Sequence, residues 1–218
     1  KRGLASHDLM IEAAAGSLSI TRGKDGAPVI PGLAGADILA ATTALAGILM
    51  GLLRRQSTGE GDFLDIAMSD CLLAGLVNNI DTAMIERQAP DVISGRSLGG
   101  NALYSIYKAS DGEWVAIGSQ ESKFAANILN ALGRPDLIAF SEAPPGVMQL
   151  PLREFLTEIF MTRSAADWSD FFEDLDVPIS PVRSLPEVLD DPHFRMRGMV
   201  FNDRRGWDHL GTPIKFVS

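Results

Sequence analysis

The chain has 218 residues, 46% of them hydrophobic and 22% charged, and a formal net charge of −9. An acidic chain without a basic cluster argues against a nucleic-acid partner, and this length can bury a real core in one domain or two. The single cysteine, Cys71, excludes an internal disulfide and points to a reducing, cytoplasmic setting.

In chain order, Ser6-His7-Asp8-Leu9-Met10-Ile11-Glu12-Ala13-Ala14-Ala15 opens a predicted helix over 6–20. Ser6 is its expected N-cap, and Leu9, Met10, Ala13 and Ala14 are its expected buried side. His7 then falls in the first turn, at the helix end that favours anions, where an imidazole tends to stay neutral and able to accept a proton. Thr21 to Pro31 reads as a loop, turning at Lys24-Asp25-Gly26. Gly32-Leu33-Ala34-Gly35-Ala36-Asp37 leads into the longest apolar run, Leu33 to Leu53, in which Asp37 is the one charge. The run is long enough to cross a membrane. Its alanine content, the internal carboxylate and the lack of a targeting signal point instead to a buried helix with close neighbours. No membrane partner is expected, and Arg54 and Arg55 suit the helix's C-terminal end.

Asp37, at a helix start reached through glycines, is a carboxylate that can stay ionised even when largely enclosed. A neutral His and an ionised Asp, each at a helix start, would make a pair of proton acceptors. A satisfied structural His and a capping Asp are the alternative, and spacing alone leaves both open.

Thr58 to Asp62 is a predicted turn, in which Gly59-Glu60-Gly61 matches no phosphate-binding pattern. A short strand is predicted at Phe63-Leu64-Asp65-Ile66-Ala67, then a helix from Ser69 to Ile85 carrying Leu72, Leu73, Leu76 and Ile80 along one side. Cys71 reads as a thiol in that helix's core. Gln88 to Asn101, rich in polar residues and glycine, is a linker. Tyr104 to Lys108 and Trp114 to Gly118 alternate around Asp111-Gly112, the pattern of a β-hairpin, with Tyr104, Tyr107 and Trp114 as packing residues. Helices follow at 124–132, 152–161 and 165–175, the last opened by a capping box of Ser164 and Asp167. Val177-Pro178-Ile179-Ser180-Pro181-Val182 suits a sheet edge or connector. His193 belongs to a structural turn and His209 to the surface.

These motifs carry a resemblance. Ser6-His7-Asp8-Leu9 to Gly16, Pro28 to Asp37, Leu53-Arg54-Arg55 through Thr58-Gly59-Glu60-Gly61 to Asp65, Ser110-Asp111-Gly112-Glu113-Trp114 to Gly118, Val177-Pro178 to Val182, and Asp191-Pro192-His193 to Met199 resemble the class III CoA-transferase (CaiB/BaiF) superfamily. The likeness covers nearly the whole chain, in order. It implies an α/β fold: 1–87 as the helical part of a Rossmann-like large domain, 88–103 as linker, 104–200 as a small α+β domain, and 201–218 returning toward the large domain. It also implies that a nucleotide-fold half supplying most CoA contacts lies outside this chain, which begins Lys1-Arg2, so that the chain alone is inactive.

Within the superfamily, Gly118-Ser119-Gln120-Glu121-Ser122-Lys123-Phe124 looks like the α-methylacyl-CoA racemase branch. That branch has Glu at the position of Glu121 and His at that of His7, where transferases usually carry an aromatic residue. Asp37 matches a carboxylate that attacks acyl-CoA in transferases and acts as a base in racemases. Ile38-Leu39-Ala40-Ala41 departs from the glycine-rich racemase pattern, and Gly99-Gly100 is all that stands for the long glycine loop of many transferases.

The resemblance implies His7 and Asp37 as bases and Glu121 tuning or orienting His7; the backbone N–H of Asp8, at a helix start, reads as an oxyanion donor. Coenzyme A enters as part of the substrate, with no prosthetic group and no metal. The reaction implied is racemisation of 2-methylacyl-CoA thioesters; the alternatives are CoA transfer with Asp37 as nucleophile, and a non-catalytic folded fragment. An interlocked homodimer is implied, with Arg87 to Asn101 crossing between subunits.

Overall fold

The computed structural model describes residues 5–23, 25–92 and 94–216. Lys1, Arg2 and Lys24 therefore lie outside the described residues. The chain divides into two compact units: 1–105 with 136–153, and 106–135 with 154–218. The expected linker 88–103 and the first two residues of the hairpin fall in the first unit, and 201–218 falls in the second.

The first unit is helical. Its helices are α1 (Asp8–Ala15), α2 (Gly35–Thr58), α3 (Met68–Gly75) and α4 (Asp81–Ile85), and α1, α2 and α3 pack against one another. α1 stops at Gly16, whose φ of 96° is the left-handed conformation that glycine adopts at little cost. A 3-10 turn, Ser17–Ser19, and a bridge between Arg22 and Pro28 lead to α2. α2 ends on Gly59 at φ 76°, which makes Gly59-Glu60-Gly61 the turn its sequence predicts. Leu39 of α2 lies so close to Gly75 of α3 that a Cβ there would come within 2.8 Å of its Cδ1.

Several expectations fail in this unit. Residues 63–67 form no strand: a strand needs a neighbour to accept its ladder bonds, and Phe63 stands 93% exposed. The helix predicted over 69–85 breaks into α3 and α4, because Gly75 and the pair Asn78-Asn79 weaken a helix interior. α2 is not a buried helix within this chain. Only Ala36 of it is buried, and Met50 is 70% exposed, since α1 and α3 cover a small part of its circumference. The buried side of α1 is not Leu9, Met10, Ala13 and Ala14, all exposed, but Glu12.

The second stretch of this unit carries α6 (Ile138–Ser141) and the start of α7 (Leu150–Phe160). Gln149, fully buried, satisfies its amide with the N–H of Ala102 at 2.8 Å and the carbonyl of Ala143 at 2.8 Å. Arg153 donates to the carbonyls of Gly99 (2.6 Å) and Gly100 (3.1 Å). It thereby fixes a wide turn, Arg96–Gly100, in which Gly99 takes φ 97°.

The second unit is α+β. β1 (Tyr104–Lys108), β2 (Trp114–Gly118) and β3 (Ile179–Pro181) form one sheet in the order β1-β2-β3, with β3 antiparallel to β2. β3 is thus an edge strand, as Pro178 before it and Pro181 at its end require. The hairpin closes where Ala109 N–H donates to Glu113 (2.8 Å), with Gly112 at φ 90°. α5 (Ser122–Ala131), the rest of α7 and α8 (Ala165–Phe172) surround a core in which Tyr107 stacks on Phe160 at 5.4 Å and Phe160 meets Trp168 at 4.9 Å. Trp168 is 1% exposed and donates its indole N–H to Phe160's carbonyl at 2.9 Å, so the large ring is buried without an orphan donor. Ser164 and Asp167 form the capping box. α9 (Leu185–Asp190), α10 (Pro192–Met196) and a hairpin of β4 (Val200–Asn202) and β5 (Asp208–Leu210) complete the unit. His193 lies in α10's first turn, its N–H held by Asp191, and His209 is exposed beside Asp203 at 3.4 Å. Tyr104 is exposed rather than packed, and Cys71 is half-buried.

Candidate functional site

The candidate residues of the first unit gather where the amino ends of α1 and α2 meet. His7, not Ser6, is the N-cap of α1, with extended backbone (φ −127°, ψ 172°) and no side-chain cap bond. Its carbonyl accepts from Met10 (2.9 Å) and Ile11 (3.1 Å), which ties it to the helix and leaves its imidazole exposed. His7 thus sits one position before the first turn in which its sequence places it. Asp8 opens α1. As a first helical residue its N–H belongs to the amides that no intrahelical carbonyl can satisfy.

Asp37 lies in the first turn of α2, as its sequence predicts, and its carboxylate is exposed rather than enclosed. The two helix ends are joined by one bond: Asp37 N–H donates to Asp8 Oδ1 at 3.1 Å. The side chain of Asp8 therefore caps the second helix, while Asp37's own carboxylate takes no hydrogen bond among the described residues. The same helix end is approached by Glu12, one turn along α1 from Asp8. Glu12 is 4% exposed, and Ser17 donates its hydroxyl to the carboxylate. Glu12 Oε1 lies against Gly35, where a Cβ would meet it at 2.6 Å. Sequence reasoning passed over Glu12; its signal is the i, i+4 spacing from Asp8, which sets both carboxylates on one helix face.

Glu121 belongs to the second unit. It is the N-cap of α5, exposed, with extended backbone and no side-chain cap bond. Two clefts of about 510 and 870 Å³ lie in the first unit, the larger edged by Arg22, Asp91, Gly99, Gly146 and Arg153. None of His7, Asp8, Asp37 and Glu121 lines either cleft.

The sequence model of CoA-transferase family III matches residues 1–217. The chain belongs to that family. Among family relatives, succinyl-CoA:mesaconate CoA-transferase of Haloarcula marismortui is 30% identical over 225 residues, which span 100% of this chain and 56% of that protein. Alpha-methylacyl-CoA racemase of Mus musculus is 27% identical over 213 residues, 92% of this chain and 52% of the racemase. A CAIB/BAIF family protein from Brucella suis has the same fold, with a TM-score of 0.73 at 26% identity, over 97% of this chain and 56% of that one. The mixture of helices and short sheets is thus the family III fold. The chain spans about half the length of the curated relatives it matches, and those relatives include both transferases and racemases.

Proposed function

We propose that the family III protein carrying this chain racemises 2-methylacyl-CoA thioesters by two-base α-proton transfer at His7 and Asp37. The observation that supports this reading most is the bond from Asp37 N–H to Asp8 Oδ1, 3.1 Å long. It couples the residue next to His7 to the backbone of Asp37 and keeps two exposed proton acceptors on adjoining helix ends. A thioester α-hydrogen is weakly acidic, so its removal needs a base in reach and donors for the enolate oxygen. One base takes the proton from the α-carbon, and the bonding pair moves into the enolate, whose oxygen the first-turn N–H of Asp8 can serve. The conjugate acid of the other base then protonates the opposite face. Glu121 orients His7, reaching it from a second copy of the chain in an interlocked homodimer. Coenzyme A enters only as part of the substrate.

The test is α-proton exchange of a 2-methylacyl-CoA in heavy water, in the complete protein. His7→Ala abolishes inversion but keeps exchange of the enantiomer whose proton faces Asp37, and Asp37→Asn leaves the opposite enantiomer exchanging. A general base contributes on the order of 10²–10⁴-fold, so both losses are large but incomplete. Equal loss for both enantiomers in both variants defeats the two-base site.

A second reading is acyl-CoA:carboxylate CoA transfer through an acyl-Asp37 intermediate. It is favoured by the transferases among the relatives, at up to 30% identity. Hydroxylamine separates the two: a hydroxamate at Asp37 after incubation with acyl-CoA belongs to the transferase alone.

A further inference from the structure

We infer that Glu12 is a positioning residue: its buried carboxylate is the seat on which the amino end of α2 rests, and it sets the separation of His7 from Asp37. The inference builds on the reading of those two residues as the bases. Glu12 is the one charged residue buried in α1, and it lies on the face that Asp8 also occupies. Asp8 restrains α2 through a hydrogen bond to Asp37, whereas Glu12 restrains it by contact at Gly35, two residues before Asp37. A carboxylate end is ordinarily free to swing aside. This one is enclosed and held by the hydroxyl of Ser17, itself buried. Ser17 can be there because Gly16, at φ 96°, turns the chain back after α1.

Gly35 completes the argument. Its φ lies outside the left-handed region, so alanine would be acceptable to the backbone and better for the helix. What excludes a side chain is the 2.6 Å to Glu12 Oε1. A glycine whose conformation does not need glycine marks a close approach, and here that approach joins the helices carrying His7 and Asp37. His7, Asp8 and Glu12 thus form one rigid rule along the start of α1, with α2 laid against its two carboxylates. Misplacing a reacting group by about 1 Å can cost on the order of 10²-fold in rate, so the seat acts on turnover rather than on substrate binding.

The test uses the complete protein and reads kcat and KM for α-proton exchange of a 2-methylacyl-CoA. Glu12→Ala and Gly35→Ala each lower kcat by about 10–100-fold with KM within about 3-fold of the parent. Glu12→Gln keeps the shape and an acceptor for Ser17, and stays within about 3-fold of the parent. Combining Glu12→Ala with Gly35→Ala costs less than the product of the two, because removing the carboxylate clears the space a Cβ needs. Parental kcat in Glu12→Ala, a loss confined to KM, or a Gln variant as poor as the Ala variant overturns the inference. Should Glu12→Ala not fold, Gly35→Ala decides in its place by the same kcat criterion. His7→Ala and Asp37→Asn are measured alongside. Parental exchange in those two overturns the two-base reading and this inference with it; large losses there with a parental Glu12→Ala overturn the positioning role alone.

Discussion

Asp8 Oδ1 accepts a hydrogen bond from the backbone N–H of Asp37 at 3.1 Å, so a side chain on one helix caps the start of the next. The bond satisfies one of the orphan amides of a helix 24 residues long. It also means that two segments far apart in sequence present their candidate functional groups from a shared point of attachment.

Asp8→Ala removes that cap. A capping carboxylate at a partly exposed helix start contributes about 1 kcal/mol, so urea denaturation should show the variant less stable by roughly that amount with an unchanged m-value. Asp8→Asn keeps an acceptor and should lose less. Equal stability of all three proteins would show that the bond is not held in solution.

The proposed interlocked homodimer makes a prediction about mixed subunits. If Glu121 of one copy serves His7 of the other, His7→Ala and Glu121→Gln subunits complement one another. Random pairing gives half heterodimers with one intact site of two, so a co-refolded mixture should reach about a quarter of parental activity. Activity no higher than the mean of the separate variants would place His7 and Glu121 in the same subunit.

Acid sensitivity of the second unit should follow its helix caps. The Ser164 hydroxyl and backbone N–H hold the Asp167 carboxyl below its ordinary value of 3.8, and Ser184 does the same for Glu187 from 4.5. Both carboxyls titrate lower in the folded than in the unfolded chain. Their contribution is therefore fully present above those ordinary values and is lost as pH falls through the lower folded ones. A Ser164→Ala, Ser184→Ala double variant should be less stable than the parent at roughly pH 7, and the gap should narrow toward roughly pH 2. A gap independent of pH would assign the caps' effect to the serine hydroxyls alone.

The 218 residues expressed by themselves should bind coenzyme A weakly or not at all. The net charge of −9 opposes a polyanion, and neither cleft of the first unit is lined by the candidate residues. The exposed apolar residues of α2, among them Leu49, Met50 and Leu53, should make the isolated chain bind a hydrophobic dye. Tight, stoichiometric coenzyme A binding by calorimetry would defeat this expectation.

Features made by neighbours in sequence were legible before any fold was known. The β1–β2 hairpin closes over residues 109–113, α8 is capped by Ser164 and Asp167 across three residues, and α2 ends on Gly59. Each depends on backbone conformations that the local residues themselves prefer, which is why periodicity and turn chemistry found them. The placement of Asp37 in a first turn was legible for the same reason.

Burial and strand pairing were not. Phe63 to Ala67 has a strand's composition, but ladder bonds come from a partner, and none pairs with it among the described residues. α1 looked amphipathic with an apolar buried side. Its packing against α2 and α3 instead exposed Leu9 and Met10 and enclosed Glu12. The bond between Asp8 and Asp37, the brace from Ser17 and the tight approach at Gly35 exist only once α1 and α2 are brought end to end. Which side chains meet there is set by the crossing of two helices, and no short-range pattern in either helix encodes it.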